Sequence, residues 1–196
     1  MESIKERKRA LRKKVLSLRD ALTPEERVRK SRAIKSLLFR LPEFIQAKTV
    51  MFFISFRSEV LTEEMIKAAI SLQKRVVVPV TDRENCCLVL SELQDYDHDL
   101  VPATYGIPEP KKEKMKEISP EELDLIVAPG SVFDAKGRRI GYGGGYYDKL
   151  LRCLQGKIPV AALAFELQIV NEVPCNPDRD IPVDLIITEN RMVRCR

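Results

Sequence analysis

At 196 residues and 22.4 kDa, the chain has room for one domain at the usual scale of about 150 residues each, which excludes long repeat arrays and multidomain machines. With 44% hydrophobic and 32% charged residues, it can fill a core and keep a polar surface, so wholesale disorder is excluded. The formal charge of +5 suits an anionic partner without distinguishing nucleic acid from nucleotide, phosphate or a polyanionic coenzyme.

The charge is uneven: residues 1–40 carry 14 Lys or Arg against 5 Asp or Glu, so a basic helical arm adjoins a mildly acidic body. Cys86, Cys87, Cys153, Cys175 and Cys195 form no CxxC pair and no zinc spacing with His98, the single histidine. Their odd number, with no secretory leader, predicts reduced thiols and a cytoplasmic location. No apolar stretch reaches the roughly 20 residues that a membrane span requires.

In chain order, KRALRKKVLSLRDAL places Leu11, Val15 and Leu18 on one helical stripe, with Lys8 and Arg12 beside it and able to look along the docking surface. Thr23-Pro24-Glu25-Glu26 reads as a capping box opening a second helix that runs to about Arg40 and is ended by Pro42. Val50 to Ile54 is a short apolar run that suits a buried strand, and Leu61 to Leu72 a helix capped by Thr62, with a Leu61–Ile66 staple. Arg75 to Val78 and Cys87 to Leu90 read as strands, while residues 92–120 are too rich in Pro, Asp, Glu and Lys for core. Leu123 to Ala128 is a strand entering the turn Pro129-Gly130. A helix follows from about Tyr146 to Leu154, then strands at Ile158 to Phe165 and Val183 to Ile187. Alternating strands and helices predict a single α/β domain over 1–196: a three-layer, Rossmann-like fold with a mostly parallel central sheet and helices on both faces. Strand order is unreadable.

The strongest local signal is Gly141-Tyr142-Gly143-Gly144-Gly145-Tyr146-Tyr147-Asp148. Its glycines let backbone N–H groups approach a ligand, and the helix that follows adds an oriented positive end, an arrangement suited to phosphate. It is neither a Walker A loop nor a secure dinucleotide fingerprint, and spacing alone leaves open a flexible surface turn. Asp148 is either an ordinary helix-start acid or a magnesium ligand beside bound phosphate. Asp184, which interrupts the apolar run Val183 to Ile187, is a second metal candidate or a strand-edge marker. Arg138 and Arg139 offer planar forks to oxyanions or to water. Glu59 follows the first core strand, where ligand sites of open α/β sheets lie. Phe56 and Tyr105 suit stacking on a heterocycle or closing a satellite core. His98, among Asp95, Asp97 and Asp99, reads as exposed rather than catalytic.

The basic KRALRKK, SEVLTEE after the first strand, YGIPEP at 105–110, DLIVAPGSVFDAKGRRIGYGGGYYDKL, and the late ALAFELQIV and IPVDLIITE occur in an order and spacing that resemble the 5-formyltetrahydrofolate cyclo-ligases, also called 5,10-methenyltetrahydrofolate synthetases, along almost the whole chain. The resemblance implies a ligase that uses ATP as co-substrate and magnesium as cofactor to convert 5-formyltetrahydrofolate, with or without a polyglutamate tail, to 5,10-methenyltetrahydrofolate. It implies Lys8 and Arg12 on the ATP phosphates. Arg139, Gly141, Tyr142, Gly143, Gly144, Gly145, Tyr146 and Tyr147 would line the nucleotide site. Arg139, Tyr147 and Asp148 would be the catalytic residues, Asp148 and Asp184 would serve the metal, and Glu59, Phe56 and Tyr105 the folate. Tyr142 and Gly144 stand where other members carry basic residues, and Tyr105 where some carry tryptophan. A soluble monomer without nucleic-acid or membrane partners is expected. A basic nucleic-acid-binding module, or a nucleotide-binding paralogue with a divergent substrate or no turnover, are the alternatives.

Overall fold

A computed structural model describes residues 3–103 and 106–195. The chain opens with three helices, α1 (Ile4–Asp20), α2 (Pro24–Leu38) and α3 (Pro42–Gln46), and then enters β1 (Thr49–Phe52). Next come α4 (Glu63–Ser71), β2 (Arg75–Asp82), β3 (Cys87–Leu93) and the short pair β4 (Leu100–Pro102) and β5 (Pro108–Pro110). The second half carries β6 (Leu125–Ala128), β7 (Val132–Asp134), β8 (Arg139–Ile140), α5 (Tyr146–Leu154), β9 (Val160–Leu163), β10 (Ile169–Val170), β11 (Leu185–Ile187) and β12 (Met192–Arg194).

The main sheet has the order β12-β11-β9-β6-β1-β2-β3. Its five inner strands are parallel, while β3 and β12 join the edges antiparallel. Both faces are covered, which explains why these strands read as continuous apolar runs rather than alternating ones. Val50, Phe52, Val76, Leu125, Val127 and Leu163 pack toward α2, α3 and α4 through Ile34, Leu38, Phe44 and Ile66. Met51, Val77, Ile126, Ala162 and Ile186 face the opposite way, onto Leu150, Leu151 and Leu154 of α5. The expected three-layer α/β fold is therefore the observed one.

Local signals behave as their chemistry requires, with instructive exceptions. Thr23 and Glu26 form the reciprocal capping box at α2, and α5 has the anticipated limits. Pro42 ends nothing: α2 closes at Leu38, and Pro42 opens α3, where its missing N–H costs no bond. Thr62 precedes α4, but its hydroxyl accepts the Ser55 N–H at 3.0 Å instead of capping the helix. Along α1 the stripe is rotated from expectation. Leu18 is 51% exposed and Arg19 only 1%, so the inward face is Lys8, Arg12, Val15 and Arg19. Polar partners for the guanidinium hold it there. Residues 92–120 are mostly peripheral, although Leu93 and Ile118 reach the core and Glu109 is buried, accepting from Thr81 N at 3.0 Å.

The β7–β8 hairpin, which the sequence reading leaves out, carries the glycine segment. It pairs with β10 in a separate three-stranded sheet and packs on α1 through Val15, Val132, Ile140 and Val173. The fully buried Asp134 organises it, accepting from Lys136 N, Arg138 N, Arg138 Nε and Val173 N. Gly137 turns the hairpin at φ +76°, and a Cβ there would lie 2.2 Å from the Val183 carbonyl oxygen. Gly137→Ala should therefore lower unfolding free energy on the order of 3 kcal/mol, the sum of left-handed strain and overpacking. Gly156→Ala, with φ +75° and open space around it, should lose only about 1 kcal/mol. Urea unfolding midpoints of the two variants check the difference.

Candidate active site

The order of the sheet sets the location. The chain passes from β1 to β2 on one side, and β6 then pairs with the other side of β1, so the direction of winding reverses between β1 and β6. A crevice beyond the carboxyl ends of strands at such a point is where open α/β sheets bind ligands. Here the crevice is closely packed, with Arg19, Phe53, Glu59, Gly130, Leu163 and Gln168 drawn together around it. A wider but shallow depression on α2 lined by Pro24, Val28 and Arg32 carries none of these groups.

Glu59, 5% exposed, sits just past β1. Burial raises its carboxyl to about 7, opposed by the Phe56 N–H, Arg19 and the Tyr142 hydroxyl. The Phe56 N–H donates to it at 2.9 Å. Arg19 donates from Nε to Ser58 Oγ at 3.0 Å and from Nη2 to Tyr142 Oη at 2.7 Å. The Ser58 hydroxyl in turn donates to Asp20. Burial also pushes the Tyr142 phenol up to about 12, with Glu59 adding to the effect.

The glycine segment lies beside this cluster. Gly143 and Gly145 have φ of +108° and +73°, and Gly145 is the amino-terminal cap of α5. A Cβ at Gly143 would sit 3.8 Å from the Arg12 guanidinium, and one at Gly141 3.2 Å from Arg139 Nη1. Arg139 is buried and donates from Nη2 to Asp148 Oδ1 at 3.0 Å. Burial depresses its pKa, with Asp148 opposing. Its guanidinium lies 5.8 Å from the Tyr147 ring centre, and burial, with Glu59 next, raises the Tyr147 phenol above its ordinary range. Arg12 Nε, Arg139 Nε and Tyr147 Oη are buried without a hydrogen-bond partner. Arg27 Nε and Ser131 Oγ share that condition, and such groups are costly in a folded protein unless a ligand or an ordered water completes them. The sequence expectation of Lys8 at this segment meets an ion pair instead, with Asp180. Asp180 also acts electrostatically on Arg139, so Lys8 belongs to the outer ring of the cluster.

The structure thus gathers Lys8, Arg12, Glu59, Arg139, Tyr142, Tyr147 and Asp148 around one end of the sheet. Phe56 is beside it, its ring 3.8 Å from a Cβ position at Gly106; Tyr105 lies outside the described residues. Gly144 approaches the Tyr146 ring closely enough that a Cβ would stand 2.7 Å from it. Asp184 is placed differently. Its Oδ2 accepts the Val160 N–H at 2.9 Å, joining the amino-terminal ends of β9 and β11, away from the carboxyl ends where Glu59 lies. Among the described residues no group of three or more His, Cys, Asp or Glu can hold a metal. Arg138 is bound to Asp134 and Glu172, and His98 is exposed against Asp95. Sequence reasoning missed Arg19 and Ser58: Arg19 was one basic residue among fourteen, and only its burial separates it.

The sequence profile of the 5-formyltetrahydrofolate cyclo-ligase family matches residues 4–189. The chain belongs to that family. Among its relatives, the 5-formyltetrahydrofolate cyclo-ligase of mouse is 32% identical, over 93% of this chain and 94% of its own. That of Escherichia coli K12 is 30% identical, over 89% and 96%. The solved 5,10-methenyltetrahydrofolate synthetase of Aquifex aeolicus is 34% identical and superposes with a TM-score of 0.84, over 96% of this chain and 93% of that one. Among the described residues of this family member, no helix is long and apolar enough to cross a membrane.

Glu59 makes stability depend on pH. Its folded pKa of about 7 exceeds the ordinary 4.5, so the native state holds the proton more tightly and stability falls as pH rises from about 4.5 to 7. Relative to Glu59→Gln, the wild-type chain should lose on the order of 3 kcal/mol between pH 5 and pH 8. Urea unfolding of both proteins across that range measures it, and parallel curves would contradict the assignment.

Proposed function

We propose that the chain cyclises 5-formyltetrahydrofolate to 5,10-methenyltetrahydrofolate, consuming ATP and releasing ADP and phosphate. One observation carries the reading: three orphaned polar atoms, Arg12 Nε, Arg139 Nε and Tyr147 Oη, surround a glycine segment at the amino terminus of α5, next to a buried carboxyl. Cations and backbone N–H groups there suit phosphate oxygens, while the Glu59 carboxyl offers a hydrogen-bonding group to a heterocycle.

In the proposed reaction the formyl oxygen attacks the γ-phosphorus, the bond to the bridging oxygen breaks, and ADP leaves. N10 then attacks the activated formyl carbon. The carbon–oxygen bond to phosphate breaks, and the departing phosphate carries the N10 proton. Phosphoryl transfer of this kind depends chiefly on alignment and on neutralising charge. Arg12, Arg139 and the N–H groups of Gly141–Gly145 would supply that, with Lys8 in support. Tyr146 and Tyr147 would wall the nucleotide, and Glu59 would hydrogen-bond the pterin, with Phe56 and, on the family resemblance alone, Tyr105 serving the folate. A magnesium ion, when bound, supplies further neutralisation of phosphate charge. The partly exposed Asp148 carboxylate in the first turn of α5 fits a cation that takes one or two carboxylates together with phosphate oxygens. Asp184 is the second candidate on the family resemblance alone.

The near-ultraviolet absorbance of the methenyl product tests the reading. It should rise when protein meets 5-formyltetrahydrofolate with MgATP, and fail to rise when either ATP or magnesium is withheld. No rise from a folded protein that binds nucleotide would favour the scaffold without turnover. Asp148→Asn, which keeps an acceptor for the buried Arg139 Nη2, should stay folded and lose about 100-fold or more in turnover, the usual scale for removing one positioned electrostatic group. Near-wild-type rates across a magnesium titration would remove Asp148 from the role.

A further inference from the structure

Tyr142 is the one residue with a side chain among Gly141–Gly145, and the residue is 44% exposed while its hydroxyl is turned toward Arg19. That hydroxyl accepts from Arg19 Nη2 at 2.7 Å and lies close enough to the Glu59 carboxyl for the two to influence each other's ionisation. The other arm of the Arg19 fork, Nε, donates to Ser58 Oγ at 3.0 Å, and Ser58 adjoins Glu59 in the chain. A guanidinium buried only for stability does best directly on a carboxylate. Arg19 instead divides its fork between two hydroxyls, one on the glycine segment and one on the Glu59 turn.

We infer that Arg19 and Tyr142 couple the two substrate sites, so that a nucleotide on the glycine segment tightens folate binding at Glu59 and folate tightens nucleotide binding in return. The inference rests on the assignment of nucleotide and folate to these places made above. Its physical basis is the ordering of a glycine-rich segment, whose backbone has more freedom to lose than any other. Whichever ligand arrives first restricts the segment further to the arrangement in which Tyr142 sits on Arg19. The second finds that ordering already done, and linkage makes the gain equal in both directions. Arg19 is thus a positioning residue, acting through Tyr142 and Glu59 rather than on the reacting atoms.

The test is a binding cycle by titration calorimetry. The Kd of a non-hydrolysable ATP analogue with magnesium is measured with and without saturating 5-formyltetrahydrofolate, for the wild-type chain, Tyr142→Phe and Arg19→Lys. The ratio of the two Kd values is the readout, because a purely structural role changes individual affinities without changing the ratio. The wild-type ratio should be about 5-fold or more, the usual lower bound for coupled sites, and should fall to within about 2-fold of unity in both variants. Tyr142→Phe keeps the ring and removes only the hydroxyl, so the cycle can be read even where Arg19→Lys does not fold. Both ligands binding with a wild-type ratio of one, or an undiminished ratio in Tyr142→Phe, overturns the coupling alone. Failure of either ligand to bind the wild-type chain overturns the site assignment and the coupling with it.

Discussion

A guanidinium taken out of water must find donors' partners nearby or cost several kcal/mol, and the placing of Arg19 answers that demand with groups 39 and 123 residues away in the chain. Its two bonds join α1, the turn after β1 and the glycine segment. Those three pieces make up the candidate active site. Without this anchor α1 would be a basic amphipathic helix held by the packing of Val15 and Leu11 and by the Lys8–Asp180 pair. With it, the helix is registered so that Lys8 and Arg12 also point inward. The basic character of the first forty residues is therefore not simply a solvated face, and its inward cations meet carboxyls, hydroxyls and the glycine segment of the body.

The sheet supplies the frame on which this anchor acts. Covering both faces of the five parallel strands leaves their ends as the places where polar groups can gather without disrupting the core. At the carboxyl ends the reversal between β1 and β6 is where Glu59 is placed. The glycine segment reaches that place because the β7–β8 hairpin, held by Asp134 and turned by Gly137, carries it off the end of β6. At the amino-terminal ends the same strands are tied down, as by Asp184 on Val160. One face of the domain is thus built to bind and the other to hold.

Fold alone would not fix the chemistry, since doubly covered parallel sheets host many reactions. What narrows it is the combination of orphaned donors around a glycine segment with a carboxyl whose ionisation is held back by burial. Membership of the 5-formyltetrahydrofolate cyclo-ligase family is consistent with such a site.

Much of this was legible in the sequence because it depends on local chemistry. The β-branched and apolar runs gave the inner strands, the Thr23–Glu26 box opened α2, and the run from Gly141 to Asp148 marked both the segment and the start of α5. Motif order along the chain identified the family. Strand order was not legible, since a strand's apolar pattern says that it is buried and not which neighbour buries it. The β7–β8 hairpin was too short for any period to reveal. The rotation of α1 that buries Arg19 and exposes Leu18 also ran against hydrophobic pattern, because the partners that make a buried arginine tolerable come from distant parts of the chain. The sequence by itself determined which segments are strands, helices and glycine loop. The tertiary structure alone decided that Arg19, Glu59 and Tyr142 meet, because the free energy of a buried charge depends on its neighbours in space.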